Sequence, residues 1–182
     1  MRRLFILFFF LISGAAFATV MIPLSLEQMT NEADTIVQGT CTGTRVYESN
    51  GMIFTEYTVS VQDVLKGGPV KEVKVRQPGG EYNGKGIYIA GTARFFPSEE
   101  SLIFLSKEKE GARDVVGWSQ GKFHVYYDEQ SKTKFAVQDL QGLSVIKKNA
   151  GEIVNPSASR MELGKISSQV KAMVASEKAL KK

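Results

Sequence analysis

Thr35-Ile-Val-Gln-Gly-Thr-Cys-Thr-Gly-Thr-Arg-Val-Tyr47 and Met52-Ile-Phe-Thr-Glu-Tyr-Thr-Val-Ser-Val-Gln-Asp-Val-Leu65 flank Glu48-Ser-Asn-Gly51, and this stretch decides the fold class. Branched and aromatic side chains dominate both arms and suit a half-buried pleated surface. Asn50-Gly51 supplies the positive φ angles of a tight two-residue turn, so the stretch is a β-hairpin. In the second arm Ile53, Tyr57, Val59 and Val61 fall on one face, and Glu56, Thr58, Ser60 and Gln62 fall on the other, wet, face.

The register has two solutions. If Asn50 and Gly51 are the whole loop, Arg45 stands opposite Glu56, and Cys41 stands opposite Ser60 on the outer face. A three-residue loop with a bulge flips one arm and places Cys41 beside Val59 in the core. Gly39 and Gly43, which bracket Cys41, are positions where a strand bends or bulges and favour the second solution.

Residues 1–18 read as a secretory signal. Arg2 and Arg3 form its positive start, Leu4 to Ile12 is apolar, and Ala16-Phe17-Ala18 is a small-x-small cleavage site. The apolar run is too short to span a bilayer. The expectation is an exported protein, periplasmic or extracellular, that begins at Thr19. Cys41 is the single cysteine, so no internal disulfide forms and the core must hold the fold.

The net charge of +4 is unevenly placed. The signal holds +2 of it, and the last 23 residues, with six basic and two acidic side chains, hold +4, which leaves 19–159 at −2. That body is no basic nucleic-acid binder.

Ser25-Leu-Glu-Gln28 has the spacing of a capping box, which predicts a short helix to Ala33. Lys66-Gly-Gly-Pro69 is a turn, and Glu72 to Gln77 a strand with Val73 and Val75 inward. Pro78 to Gly86 reads as a glycine-rich loop. Strands are expected at 86–96, 101–106, 114–118, 122–128 and 134–137. This regular spacing argues an all-β barrel or sandwich over 19–148. Residues 149–159 read as a linker. In 160–182, Leu163, Ile166, Val170 and Met173 recur at helical spacing, an amphipathic helix that packs on the barrel or lies on an anionic membrane surface.

Gly117-Trp-Ser-Gln-Gly121 matches the G-x-S-x-G nucleophile elbow, which needs a helix after its serine and a base later in the chain. Here strand residues follow, and the order Ser119, His124, Asp128 is not the hydrolase order. A glycine-flanked turn between strands is the preferred reading, with Ser119 and His124 as a catalytic pair kept as the alternative. Gly79-Gly-Glu-Tyr-Asn-Gly-Lys-Gly86 lacks the final hydroxyl and the helix of a phosphate-binding loop. Its residues Gly79, Gly80, Glu81, Tyr82, Asn83 and Lys85 are instead a candidate loop for partner contacts.

His124 and Cys41 are too few for a zinc site, and neither a metal nor another cofactor is expected. Glu99-Glu100 reads as a solvated turn, and Cys41 as a buried small hydrophobe. Trp118, Phe123, Tyr126 and Tyr127 are candidates for an aromatic binding face, with alternation sending about half of the strand residues to the core.

Ala33-Asp-Thr-Ile-Val-Gln-Gly39, Val64-Leu-Lys-Gly67, Val75-Arg-Gln-Pro-Gly-Gly80, Leu102-Ile-Phe-Leu105 and Val116-Gly-Trp-Ser-Gln-Gly-Lys-Phe123 together resemble an uncharacterised family of secreted bacterial proteins, over about Leu24 to Val137. The opening, a polar helix, Ala-Asp, a glycine-containing strand and a hairpin ending Leu-Lys-Gly, is similar to netrin-like modules and tissue inhibitors of metalloproteinases. That resemblance implies an OB-like, netrin-like barrel and a binding role. Those inhibitors chelate a protease's zinc through an N-terminal cysteine, and Thr19 stands where that cysteine would be. Their mechanism therefore does not transfer. The expectation is a mainly β, antiparallel, non-enzymatic binding module with a protein partner, a secreted protease among the candidates. A structural role in the cell envelope, through membrane-surface contact of the basic C-terminal helix, is the alternative.

Overall fold

A computed structural model describes residues 19–138, 140, 143–146, 153–154 and 158–180. The expected signal peptide and most of the expected linker lie outside the described residues.

The chain order is β1 (Thr19–Met21), α1 (Leu26–Glu32), β2 (Thr35–Ser49), β3 (Met52–Lys66), β4 (Glu72–Pro78), β5 (Gly80–Tyr82), β6 (Lys85–Ile87) and β7 (Glu100–Leu105). A 3₁₀ turn at Trp118–Gly121 leads to β8 (Lys122–Asp128), β9 (Thr133–Gln138), β10 (Leu143–Ile146), β11 (Ile153–Val154), β12 (Arg160–Glu162) and α2 (Leu163–Leu180). Seven strands form one antiparallel sheet in the order β12-β9-β8-β7-β2-β3-β4. β1, β10 and β11 form a small second sheet, and β5 pairs with β6.

The long hairpin reconciles both registers. Asn50 (φ 51°) and Gly51 (φ 76°) make the two-residue turn, and Arg45 stands opposite Glu56. Further along, a bulge between Cys41 and Gly43 shifts the pairing by one, so Cys41 faces Val59 and is 2% exposed. The flip expected of a longer loop is thus made inside the strand. At Gly39 a Cβ would meet the Ser60 carbonyl oxygen at 2.5 Å and Val59 Cγ1 at 2.7 Å, so only glycine permits this approach.

The sheet is buried on both faces. Ile36, Leu65, Leu102, Phe104, Phe123, Val125 and Ala136 pack under Met29 of α1 and under Leu163, Ile166, Val170 and Val174 of α2. Val37, Cys41, Tyr57, Val59, Val73, Val75, Ile103 and Leu105 pack under Ala93, Phe95 and Val115 from loops. This two-sided cover explains why Leu102-Ile-Phe-Leu105 is apolar without alternation. The capping box at α1 is present: Ser25 Oγ accepts from Gln28 N at 3.1 Å, and Gln28 Oε1 accepts from Ser25 N at 2.9 Å.

The expected barrel is not closed. β7, β8, β9 and β12 add outward on the far side of β2, so the last strand never reaches the edge of β4. Among the described residues that edge meets an extended segment, where Arg76 N donates to Arg113 O (2.8 Å) and Arg113 N to Lys74 O (2.9 Å). Residues 114–118 accordingly contribute an isolated bridge at Val115 rather than a strand. Residues 160–162 form the edge strand β12 ahead of the expected helix, whose apolar stripe is taken up by the sheet. Val174, rather than the half-buried Met173, completes that stripe, one helical turn on from Val170. Among the described residues no helix is long and apolar enough to cross a membrane.

Candidate functional site

Directly opposed residues of neighbouring strands share a face. Ile103 opposes Lys122 and Ser101 opposes His124, so Lys122, His124 and Tyr126 lie on the loop-covered side of the sheet. Here the segment between Tyr88 and Glu99, seated on the sheet by Ala93 and Phe95, borders a cleft of about 970 Å³. Lys122, His124, Tyr126 and Val137 line it from the sheet, with Tyr88, Arg94, Phe96 and Glu99 opposite.

Residues 88–99 hold no regular strand, contrary to the expected strand at 86–96. Pro97 and Ser98, the latter at φ 64°, turn the chain, and Glu99 folds back beneath its own turn. Phe96 N donates to Glu99 Oε2 at 2.8 Å, and Glu99 N donates to Phe96 O at 3.0 Å. Glu99 is therefore not the solvated turn residue expected, because its carboxylate is fixed from inside. Lys122 Nζ donates to Glu99 Oε1 and to Arg94 O, each at 2.5 Å, and lies 4.9 Å from the centre of the Phe95 ring. His124 Nδ1 lies 3.0 Å from the same Oε1. The Lys122 and Glu99 side chains are 1% and 6% exposed, whereas His124 is half-exposed. Glu100 turns the other way, to Lys134 Nζ at 2.7 Å and Gln38 Nε2 at 2.6 Å.

Ser119 lies in the 3₁₀ turn and lines the same cleft as His124, with no hydrogen bond between them. Its amide donates to Gly91 O at 2.9 Å. Its hydroxyl and that of Ser101 are, among the described residues, the buried side-chain polar atoms without a hydrogen-bond partner. The flanking motif residues serve packing. A Cβ at Gly117 would meet Leu24 Cδ1 at 2.5 Å, and the Gln120 side chain holds Leu24 N (2.8 Å) and Ile22 O (3.2 Å).

The glycine-rich stretch is a hairpin rather than a loop. Asn83 (φ 50°) and Gly84 (φ 74°) turn between β5 and β6, since both sit in the left-handed region such a turn needs. Thr55 Oγ1 donates to Gly79 O at 2.7 Å and anchors its foot on β3, where Gly80 (φ 133°) leaves no room for a Cβ beside Thr55. Glu81, Asn83 and Lys85 are exposed and Tyr82 partly so. The hairpin leads straight into Ile87 and Tyr88, 43% and 67% exposed, and Phe96 nearby is 62% exposed. A second hollow runs between the hairpin foot and these three residues. The Arg94 guanidinium rests over the Tyr88 ring, 4.7 Å from its centre.

Sequence reasoning placed Ser119, His124 and the hairpin residues but missed Glu99, Lys122, Arg94 and the exposed aromatics. One signal was present: Lys122, His124 and Tyr126 alternate against the apolar Phe123 and Val125. Of the expected aromatic face, Phe123 is in the opposite core, Tyr126 lines the cleft, and Trp118 lines a separate groove with Tyr47 and Phe54. Comparison with protein-family models finds no match to this chain, and comparison with curated proteins finds none.

Proposed function

We propose that the protein is an exported, non-enzymatic binding module for another protein, with a secreted protease as the first partner to test. The observation that carries this reading is the exposed ridge of Ile87, Tyr88 and Phe96, continuous with the β5–β6 hairpin. Large exposed apolar side chains grouped on one surface mark contact sites, and aromatic residues are enriched where proteins bind proteins. A non-catalytic role is supported by the way Lys122, Glu99 and the Nδ1 edge of His124 are spent on one another. The resemblance of the opening sequence to netrin-like, OB-type modules supports the same role.

The test is kinetic. Exported proteases of the host, assayed one by one with a stoichiometric amount of the protein, should include one that is inhibited. Exchange of Glu81, Tyr82 and Lys85 for alanine, which leaves the Asn83-Gly84 turn intact, should relieve that inhibition with little change in the melting temperature. Full activity of every protease across the panel would refute the protease partner.

A further inference from the structure

We infer that the cleft between the Tyr88–Glu99 segment and β8–β9 is a binding site for the carboxylate of a small organic acid with an apolar body. This inference does not depend on the protein partner proposed above: Tyr88 and Phe96 border both surfaces, but the carboxylate site is carried by Arg94 and Ser119.

The charges come first. Two permanent cations, Arg94 and Lys122, and one carboxylate, Glu99, line the cleft. Lys122 and Glu99 neutralise each other at 2.5 Å, nearly out of solvent. Arg94 remains: it is exposed, its guanidinium makes no ion pair among the described residues, and it lies over the Tyr88 ring, 4.7 Å from its centre. A planar guanidinium resting on an aromatic ring keeps its N–H edge for an acceptor, and its fork matches the two oxygens of a carboxylate.

The second observation is Ser119. Ser119 borders the cleft and is 3% exposed, and its hydroxyl, buried just behind the wall, has no hydrogen-bond partner. A buried hydroxyl left unmade costs free energy, so such groups as a rule meet a partner, and an acceptor in the cleft would supply one. The third is the wall. Tyr88, Phe96 and Tyr126 give the cleft aromatic surface, and its volume is that of sites for small ligands. A cation, an unspent hydroxyl donor and aromatic walls in one hollow select an anion with an apolar body over a sugar or a bare ion.

The test is a titration of the exported protein followed by amide NMR, read at Ser119 and Gly91. The probes are 3-phenylpropionate, its neutral amide, phenyl phosphate and inorganic phosphate. The acid should shift these signals saturably, and the amide should bind at least about tenfold more weakly, since a hydrogen bond to a charged partner is worth that much. Arg94→Gln should weaken the acid by a similar factor. Ser119→Ala should weaken it several-fold while leaving the other resonances in place. Equal binding of acid and amide, unchanged affinity in Arg94→Gln, or no saturation by the acid at about 10 mM would each overturn the site. Tighter binding of either phosphate would overturn the carboxylate assignment.

Discussion

Glu99 and Lys122 form an ion pair of 2.5 Å with both side chains almost withdrawn from water. The pair joins the Phe96–Glu99 turn to the first residue of β8, and it fixes the segment that borders the cleft. Removing one partner of a buried pair leaves an uncompensated charge. Lys122→Met should therefore cost about 3–5 kcal/mol in chemical denaturation. The double variant Glu99→Gln/Lys122→Met should recover much of that loss. A single variant as stable as the parent would show that the pair is not what holds the turn.

Asp34 carries a pH dependence of known sign. Its hydrogen bond to Arg113, 2.7 Å from Oδ2, lowers the carboxyl below its ordinary range. A depressed folded value contributes stability that is present above the unfolded pKa of about 3.9 and lost as pH falls through the folded one. Asp34 is about half exposed, so the pair is worth under about 1 kcal/mol. Asp34→Asn should lower the thermal midpoint slightly at neutral pH, and the two midpoints should converge near pH 2.

Cys41 should be inert in the native protein. It is 2% exposed beside Val59, and burial pushes its thiol pKa up, so the reactive thiolate is doubly disfavoured. Alkylation by iodoacetamide should be slow at neutral pH and become fast only in denaturant. Rapid labelling of folded protein would place Cys41 on the outer face after all.

The C-terminal helix is part of the core. Ile166 is 1% exposed among Leu102, Phe104 and Val125. Ile166→Ala should cost about 2–5 kcal/mol. For the same reason truncation after Ser159 should unfold the protein, as judged by loss of near-ultraviolet circular dichroism, rather than release an intact sheet. A folded truncated protein would return α2 to the status of an appendage and reopen its expected membrane contact.

The elements written in local patterns were legible in the sequence. The β2–β3 hairpin, the capping box of α1, the inward valines of β4 and the apolar stripe of α2 each follow from periodicity or turn chemistry within a few residues. The open sheet was not legible, because closure depends on where β8, β9 and β12 pair, and strands of similar pattern can add to either edge. Glu99 was misread for a related reason. A carboxylate after Pro97-Ser98 looks like solvent-facing turn chemistry, and only the pairing of β7 with β8 brings Lys122 beneath it. Ser119 and His124 were found by motif, yet the cleft they share depends on a loop whose exposed Tyr88 and Phe96 carry no periodic signal.

The most direct test of the binding role is a paired affinity capture from the host's exported fractions, with the parent protein and a Tyr88→Ser/Phe96→Ser variant. Both residues are exposed, so the exchange should leave stability within about 0.5 kcal/mol. One exported protein should be retained by the parent in stoichiometric amount and lost with the variant. Equal retention by both, or retention of nothing by the parent, would contradict a protein-binding surface at this ridge.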